Sequence, residues 1–286
     1  MLRSKDIKDE IESVGDLKEL IDIYGQIASI RMRKIRDSVL KNREFFDSVN
    51  SIFQDTLNSY IKKISQLKLK GEQSASKVTF LAHNNKTVAV FISANTGFYG
   101  EIIQIVFRKF LDDVRKNDFE VTIVGRLGRN LFLQEEPKRP YTYYDLPDYG
   151  TDQQEFAEVV KHLVKYERIK VYYSRYKSVI SQIPYVGEIS AGAEVKGEST
   201  IDEREFIFEP SIEDVLTFFE TEIFVSFFNQ SVQDSQLSKL ASRIISMDKA
   251  LENIRKKIGD LHNEKTKILH SEMAKKQINS LSNVIY

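Results

Sequence analysis

The chain has 286 residues, 42 basic and 42 acidic, so its zero formal net charge favours neither nucleic acid nor an acidic partner. It contains no cysteine, which excludes a disulfide framework and every cysteine-ligated metal site. No apolar run reaches the roughly 18 residues a membrane span needs, and Met1–Glu12 mixes acids and bases without the apolar stretch of a signal peptide, so a cytosolic-facing chain is expected.

From Lys5 to about Leu69 there is no proline. Apolar residues recur there at steps of three and four: Ile7, Ile11, Val14, Leu17, Leu20 with Ile21, Tyr24, Ile27 with Ala28, Ile35 and Val39. The series resumes at Phe46, Val49, Phe53, Leu57, Tyr60, Ile64 and Leu67. That rhythm predicts one long helix with a narrow apolar seam. Gly15 and Gly25 each mark either a bend or a close helix approach. Charge along this helix is uneven. Asp6, Asp9, Glu10, Glu12, Asp16, Glu19 and Asp22 precede a basic cluster of Arg31, Arg33, Lys34 and Arg36. The cluster is either a solvated face or a weak electrostatic contact.

Gly71–Ser76 reads as a linker. Val78–Ala82 and Thr87–Ala94 read as strands, the second so continuously apolar that both its faces should be covered. A loop, Asn95–Gly100, leads to a helix carrying Ile102 to Val114. Phe119–Val124 is a further strand and Gly125–Arg129 a turn, which makes a βαβ unit. Lys138–Asp152, with Pro140, Pro147 and four tyrosines, reads as a loop. Gln153–Tyr166 should be helical. Ile169–Ser174 and Val179–Ile189 read as strands, the second interrupted by Pro184. Ala191–Asp202 reads as a loop and Phe206–Phe208 as a short strand. Pro210 and Ser211 should open the last helix.

In that helix Leu240, Ile244, Met247, Leu251, Ile254, Ile258 and Leu261 alternate steps of four and three; Lys265 breaks the seam and Ile268 resumes it. About 75 helical residues would span roughly 110 Å, longer than any domain this chain could fold. The helix must project, and its stripe needs a partner helix. The fold class expected is α/β: a long antiparallel coiled coil of the N- and C-terminal helices, 1–70 and 210–286, with a small Rossmann-like α/β domain, 71–209, inserted between them.

Motifs for chemistry are missing. Neither Gly97–Gly100 nor Gly125–Gly128 has the lysine and hydroxyl residue of a phosphate loop, and no dinucleotide fingerprint occurs. The histidines, His83, His162, His262 and His270, are scattered, so no metal site is expected. Tyr141, Tyr143 and Tyr144 read as loop packing. No nucleophile–base pair stands out, and neither a cofactor nor a catalytic residue is expected. A coiled-coil scaffold and a small-molecule enzyme built on the βαβ unit remain the competing classes.

Lys5-Asp6-Ile7, Ile11, Val14 and Tyr24–Lys34, Met247–Ile254, Ser93–Gly100, Val124–Arg129 and Ile207–Pro210, in that order and spacing, make the chain resemble the γ subunit of the F-type ATP synthase. Tyr24 replaces that family's usual methionine, and Leu269–Lys276 replaces a glutamine-rich run. The resemblance implies a non-catalytic central-stalk rotor subunit that couples ring rotation, driven by protons or sodium ions, to the nucleotide sites of an alpha and beta hexamer. A shaft of a specialised rotary ATPase not used for synthesis is the variant of that reading. The partners implied are the alpha and beta subunits, the epsilon subunit and the membrane rotor ring, with no nucleic acid and no membrane insertion. The place implied is peripheral, at the cytoplasmic face of a bacterial inner membrane. Residues implied to meet other subunits are Tyr24, Arg31, Arg33, Lys34, Met247, Asp248, Lys265, Lys267 and His270.

Overall fold

A computed structural model describes residues 2–68, 77–78, 84–150, 152–190, 193–194 and 212–282. The proline-free N-terminal stretch is a single helix, α1 (Leu2–Lys68). The C-terminal one is α5 (Ile212–Ser282). They pack against each other antiparallel, with Gly25 beside Met247, Glu10 beside Lys257 and Asn42 beside Gln233. Between them come β1 (Lys77–Val78), β2 (Thr87–Ile92), α2 (Ile102–Lys116), β3 (Glu120–Val124), α3 (Arg126–Glu135), β4 (Thr142–Tyr144), α4 (Gln153–Leu163), β5 (Arg168–Ser178), β6 (Ser181–Ser190) and β7 (Ala193–Glu194).

The α5 seam follows the expected register. Leu240, Met247, Leu251, Ile254 and Leu261 are buried, and Ile244, Ile258, Lys265 and Ile268 are half-buried. The α1 seam needs correction. Ile7, Ala28, Met32 and Val39 are its buried apolar members, whereas Leu17, Leu20, Tyr24 and Ile27 are exposed. Leu20 and Ile27 belong to a second stripe on the far side of the helix, Leu17 and Tyr24 lie on the flank between, and the sequence series merged them. The buried stripe is the one that includes Gly25, where an added Cβ would sit 3.4 Å from the Met247 Cβ. Gly25 therefore marks a close approach of the helices, while Gly15 has nothing within 4 Å. The side chains of Leu57, Tyr60, Ile64 and Leu67, together with His83, 79–82, 206–208 and 210–211, lie outside the described residues.

Five strands form one sheet in the order β4-β3-β2-β5-β6. β2 is central and parallel to both neighbours. One of its faces gives Val88, Val90 and Ile92 to a core closed by α4 and by Phe224, Phe227, Phe228 and Val232 of α5. The other gives Ala89 and Phe91 to a core closed by α2 and α3. That double cover is why β2 reads as continuously apolar. β6 pairs antiparallel with β5 and stands at the sheet edge, where Pro184 is tolerated because no further strand needs its N–H.

Three local readings change. Arg126–Arg129, expected as a turn, is the first turn of α3. Two glycines, no acidic residue in the first turn and no side-chain cap hide this helix from propensity. Gly125 enters it at φ +98°, and a Cβ there would lie 2.9 Å from the Ala94 backbone nitrogen. The expected loop 138–152 contains β4, a three-residue strand parallel to β3. The expected loop 191–202 contains β7, which pairs antiparallel with β1.

Candidate functional site: the paired helices and their grip on the sheet

Between Ile223 and Arg243, α5 is buried from several sides, and many of its buried residues are polar: Gln230, Ser231, Asp234, Ser235, Gln236, Ser238, Lys239, Ser242 and Arg243. A buried polar group must be paired or it costs stability, and the three charged ones, Asp234, Lys239 and Arg243, form two anchors. In the first, Lys239 donates from Nζ to the Ser93 carbonyl at 2.8 Å and lies 3.4 Å from Asp148 Oδ1. Asp148 also accepts from the Asn95 N–H at 2.9 Å, the Thr96 N–H at 2.8 Å and the Thr96 hydroxyl at 2.8 Å. Arg243 donates to Thr96 Oγ1 and the Gly97 carbonyl at 2.9 and 2.8 Å. Its guanidinium lies 4.0 Å from the centre of the Tyr99 ring. Burial pushes the Lys239 amine below its ordinary value against the pull of Asp148. Burial also works to raise Asp148, but Lys239 and the N–H bonds of Asn95 and Thr96 outweigh it and hold that carboxyl low.

The place of this anchor matters. Strand order reverses between β2 and β5, and the crevice beyond the ends of such strands is where open α/β sheets take their ligands. Here the crevice beyond β2 is filled from within the chain, by the Lys239 ammonium and the Arg243 guanidinium of α5.

The second anchor is Asp234, whose side chain is 1% exposed. It accepts from Arg43 at 2.7 Å and from the Tyr176 N–H at 3.2 Å, with Arg175 at 3.8 Å. Arg43 also donates to the Tyr176 carbonyl at 3.3 Å. One carboxylate thereby joins α1, α5 and β5. Burial raises its pKa, opposed by Arg43, the Tyr176 N–H and Arg175.

The residues singled out in the sequence fall into three places. Tyr24 sits outside the seam, its ring 5.9 Å from that of Phe98. Arg31 stacks 4.9 Å from the centre of the Tyr149 ring, and Arg33 and Lys34 are exposed. Met247 is buried over Gly25, so its side chain serves the helix pair, while Asp248 beside it is exposed. Lys265 is half-buried, and Lys267 and His270 are exposed. The structure does not bring the two basic groups together. With Arg31–Lys34 level with the region of Arg243, Lys265 lies about 22 residues farther along α5, roughly 33 Å away. His162 belongs to packing: Thr122 Oγ1 lies 3.2 Å from its Nε2, Tyr144 and Tyr166 flank it, and burial lowers its pKa.

Sequence reasoning missed Asp234, Lys239 and Arg243, because charges beside a coiled-coil seam read as solvated, and Asp148, because a charge in a loop reads the same way. A signal was present. Six serines, Ser226, Ser231, Ser235, Ser238, Ser242 and Ser246, crowd one helix. Serine competes with the helix backbone for hydrogen bonds, so such density points to close packing against other backbone.

A family model described as ATP synthase matches residues 3–268. The protein "ATP synthase gamma chain" of Elusimicrobium minutum is 24% identical to this chain, covering 94% of it and 93% of its own length. The protein of the same name from Mycoplasmopsis pulmonis is 25% identical, covering 89% and 88%. Among solved structures, a central-stalk chain of the Tetrahymena thermophila mitochondrial ATP synthase superposes with a TM-score of 0.58 at 17% identity, covering 81% of this chain and 99% of its own. A chain of the Euglena gracilis mitochondrial ATP synthase gives 0.54 at 15% identity, covering 90% and 94%.

Proposed function

The chain belongs to the ATP synthase family, as a non-catalytic γ chain of the central stalk, and from that premise we propose how its parts divide the work. Segments 1–70 and 210–286 form the shaft, which turns inside a hexamer of alpha and beta subunits. Segment 71–209 is the foot, which meets the epsilon subunit and the membrane rotor ring. The observation that carries this reading is α5 itself. It runs unbroken from Ile212 to Ser282, is anchored to the sheet by Asp234, Lys239 and Arg243, and continues as one half of the helix pair. Rotation applied to the foot reaches the far end of the pair without crossing a loop. No described helix is long and apolar enough to cross a membrane, which fits a peripheral subunit at the cytoplasmic face of a bacterial inner membrane.

The test is assembly. Co-expressed with alpha and beta subunits, the chain should purify with three of each and support ATP hydrolysis. Alone it should neither hydrolyse ATP nor bind it at micromolar concentration, because α5 fills the crevice beyond β2. Purification without the hexamer subunits, or tight ATP binding by the isolated chain, overturns the reading.

The exposed cations Arg31, Arg33 and Lys34 are proposed to meet acidic segments of the beta subunits as the shaft turns. A rotor passes three equivalent positions, so each contact must be weak, about 0–1 kcal/mol. Replacing all three by glutamine keeps good helix formers in place and should leave folding intact. Turnover of the assembled complex should fall at low salt, and the gap should narrow as ionic strength rises. Turnover equal to the parent at low salt assigns these charges to solvation alone.

A further inference from the structure

Turned away from α5, the outer face of α1 carries a second heptad series. Asp16, Leu20, Ile23, Ile27, Ile30 and Lys34 follow at steps of four, three, four, three and four, and one heptad beyond each end stand Asp9 and Lys41. All eight are exposed, the four apolar ones at 50%, 53%, 38% and 59%. None of the four charged residues has an ion-pair partner among the described residues.

The spacing reads the same from either end, about a midpoint at Gly25, while the charge changes sign across it. A helix of that kind is complementary to its own copy run antiparallel. Leu20 then meets Ile30, Ile23 meets Ile27, Asp16 meets Lys34 and Asp9 meets Lys41, each pair twice. Run parallel, the same helices set acid on acid and base on base. A foreign partner would need complementary residues but no symmetry, so the symmetry itself indicates what covers this face. We propose that the chain, before it joins other subunits, forms a two-fold dimer through the outer face of α1, the two copies antiparallel. The paired stretch, 9–41, is about 50 Å long, and the interface closes on itself, so it does not propagate into a filament. The domain leaves room for it: its contacts with α1, through Phe98, Tyr149 and Tyr176, lie on the flank of the helix and on the α5 side.

The experiment uses the full chain alone, so its outcome is separate from that of the shaft reading. Light scattering of the purified chain at tens of micromolar and low salt should give twice the chain mass. Ile23→Lys with Ile27→Lys should give the monomer mass with unchanged helicity, since both sites are exposed. Lys34→Glu with Lys41→Glu, and Asp9→Lys with Asp16→Lys, should each be monomeric alone and form a mixed dimer when combined. Direction is read by cysteine, which the parent lacks. Asp9→Cys and Lys41→Cys chains should cross-link to each other on mild oxidation and neither to itself, because like positions are about 48 Å apart in the antiparallel pair. A monomeric parent overturns the proposal and leaves this face to a helix of another subunit. A dimer that survives the Ile23 and Ile27 changes, or an Asp9→Cys chain that cross-links to itself, overturns it as well.

Discussion

Exchanging Leu251 and Ile254 together for aspartate is expected to part the helix pair while the sheet and its flanking helices stay folded. Both residues are buried in the α5 seam, at 8% and 9% exposure. Each change removes apolar contact and places a carboxylate in an interface built from aliphatic side chains, where one unpaired charge costs several kcal/mol. Beyond Arg243 the seam is what holds α5 to α1. Surface pairs such as Lys257–Glu10, exposed by about half at each end, contribute little. The expected signature is a loss of helical circular dichroism with an early melting phase, followed by a later transition at the parent temperature. Leu251→Ile with Ile254→Leu should stay close to the parent, since volume is conserved. A double aspartate chain with parental helicity and one parental melt would refute the seam.

The second large effect is expected at Asp148. Changing it to alanine leaves the N–H groups of Asn95 and Thr96 without their acceptor and strands the Lys239 ammonium beside the Ser93 carbonyl. Breaking one side of a buried ion pair costs about 3–5 kcal/mol. Lys239→Met should cost less, because Asp148 keeps three donors and methionine fills the space. The double change should cost less than the sum of the two, and the difference measures their coupling. Denaturant midpoints at constant slope are the readout. The pH response carries the sign. The Asp148 carboxyl is held low in the fold, so its contribution is present above the ordinary carboxylate range and is lost as pH falls through the folded value. Asp148→Ala should therefore flatten the acid limb. Asp234 is shifted the other way. The penalty of keeping it charged in the fold is relieved as pH falls, so Asp234→Asn should steepen the acid limb where Asp148→Ala flattens it.

The long helices were legible because their cause is local: no proline, and one apolar step repeated many times. β2 was legible because both of its faces are covered. α3 was not, since glycine at 125 and 128 serves tertiary contacts and lowers helix propensity at once. A Cβ at Gly128 would lie 2.6 Å from that of Ser93. β4 was hidden because three residues between prolines become a strand only when β3 is beside them. The α1 seam was blurred because one helix carries two apolar stripes, and only the partner helix decides which is the inside. The anchors were illegible for a related reason. Lys239 and Arg243 lie next to the seam residues Leu240 and Ile244 in the chain, yet their partners, Ser93, Thr96, Gly97 and Asp148, are 91 to 147 positions away.

The anchoring of α5 also sets where the molecule can yield. Up to Arg243 the helix is held by sheet, loops and α1 together, and an angular displacement there would have to break buried charge contacts. From Ile244 to Ile268, roughly 38 Å of helix, its restraint is the single aliphatic seam, whose last buried member is Leu261. Torsional compliance is thus concentrated in the coil and nearly absent from the foot. Under load the coil should wind and unwind like a soft spring on a stiff mount, storing angular strain between one stepping event and the next.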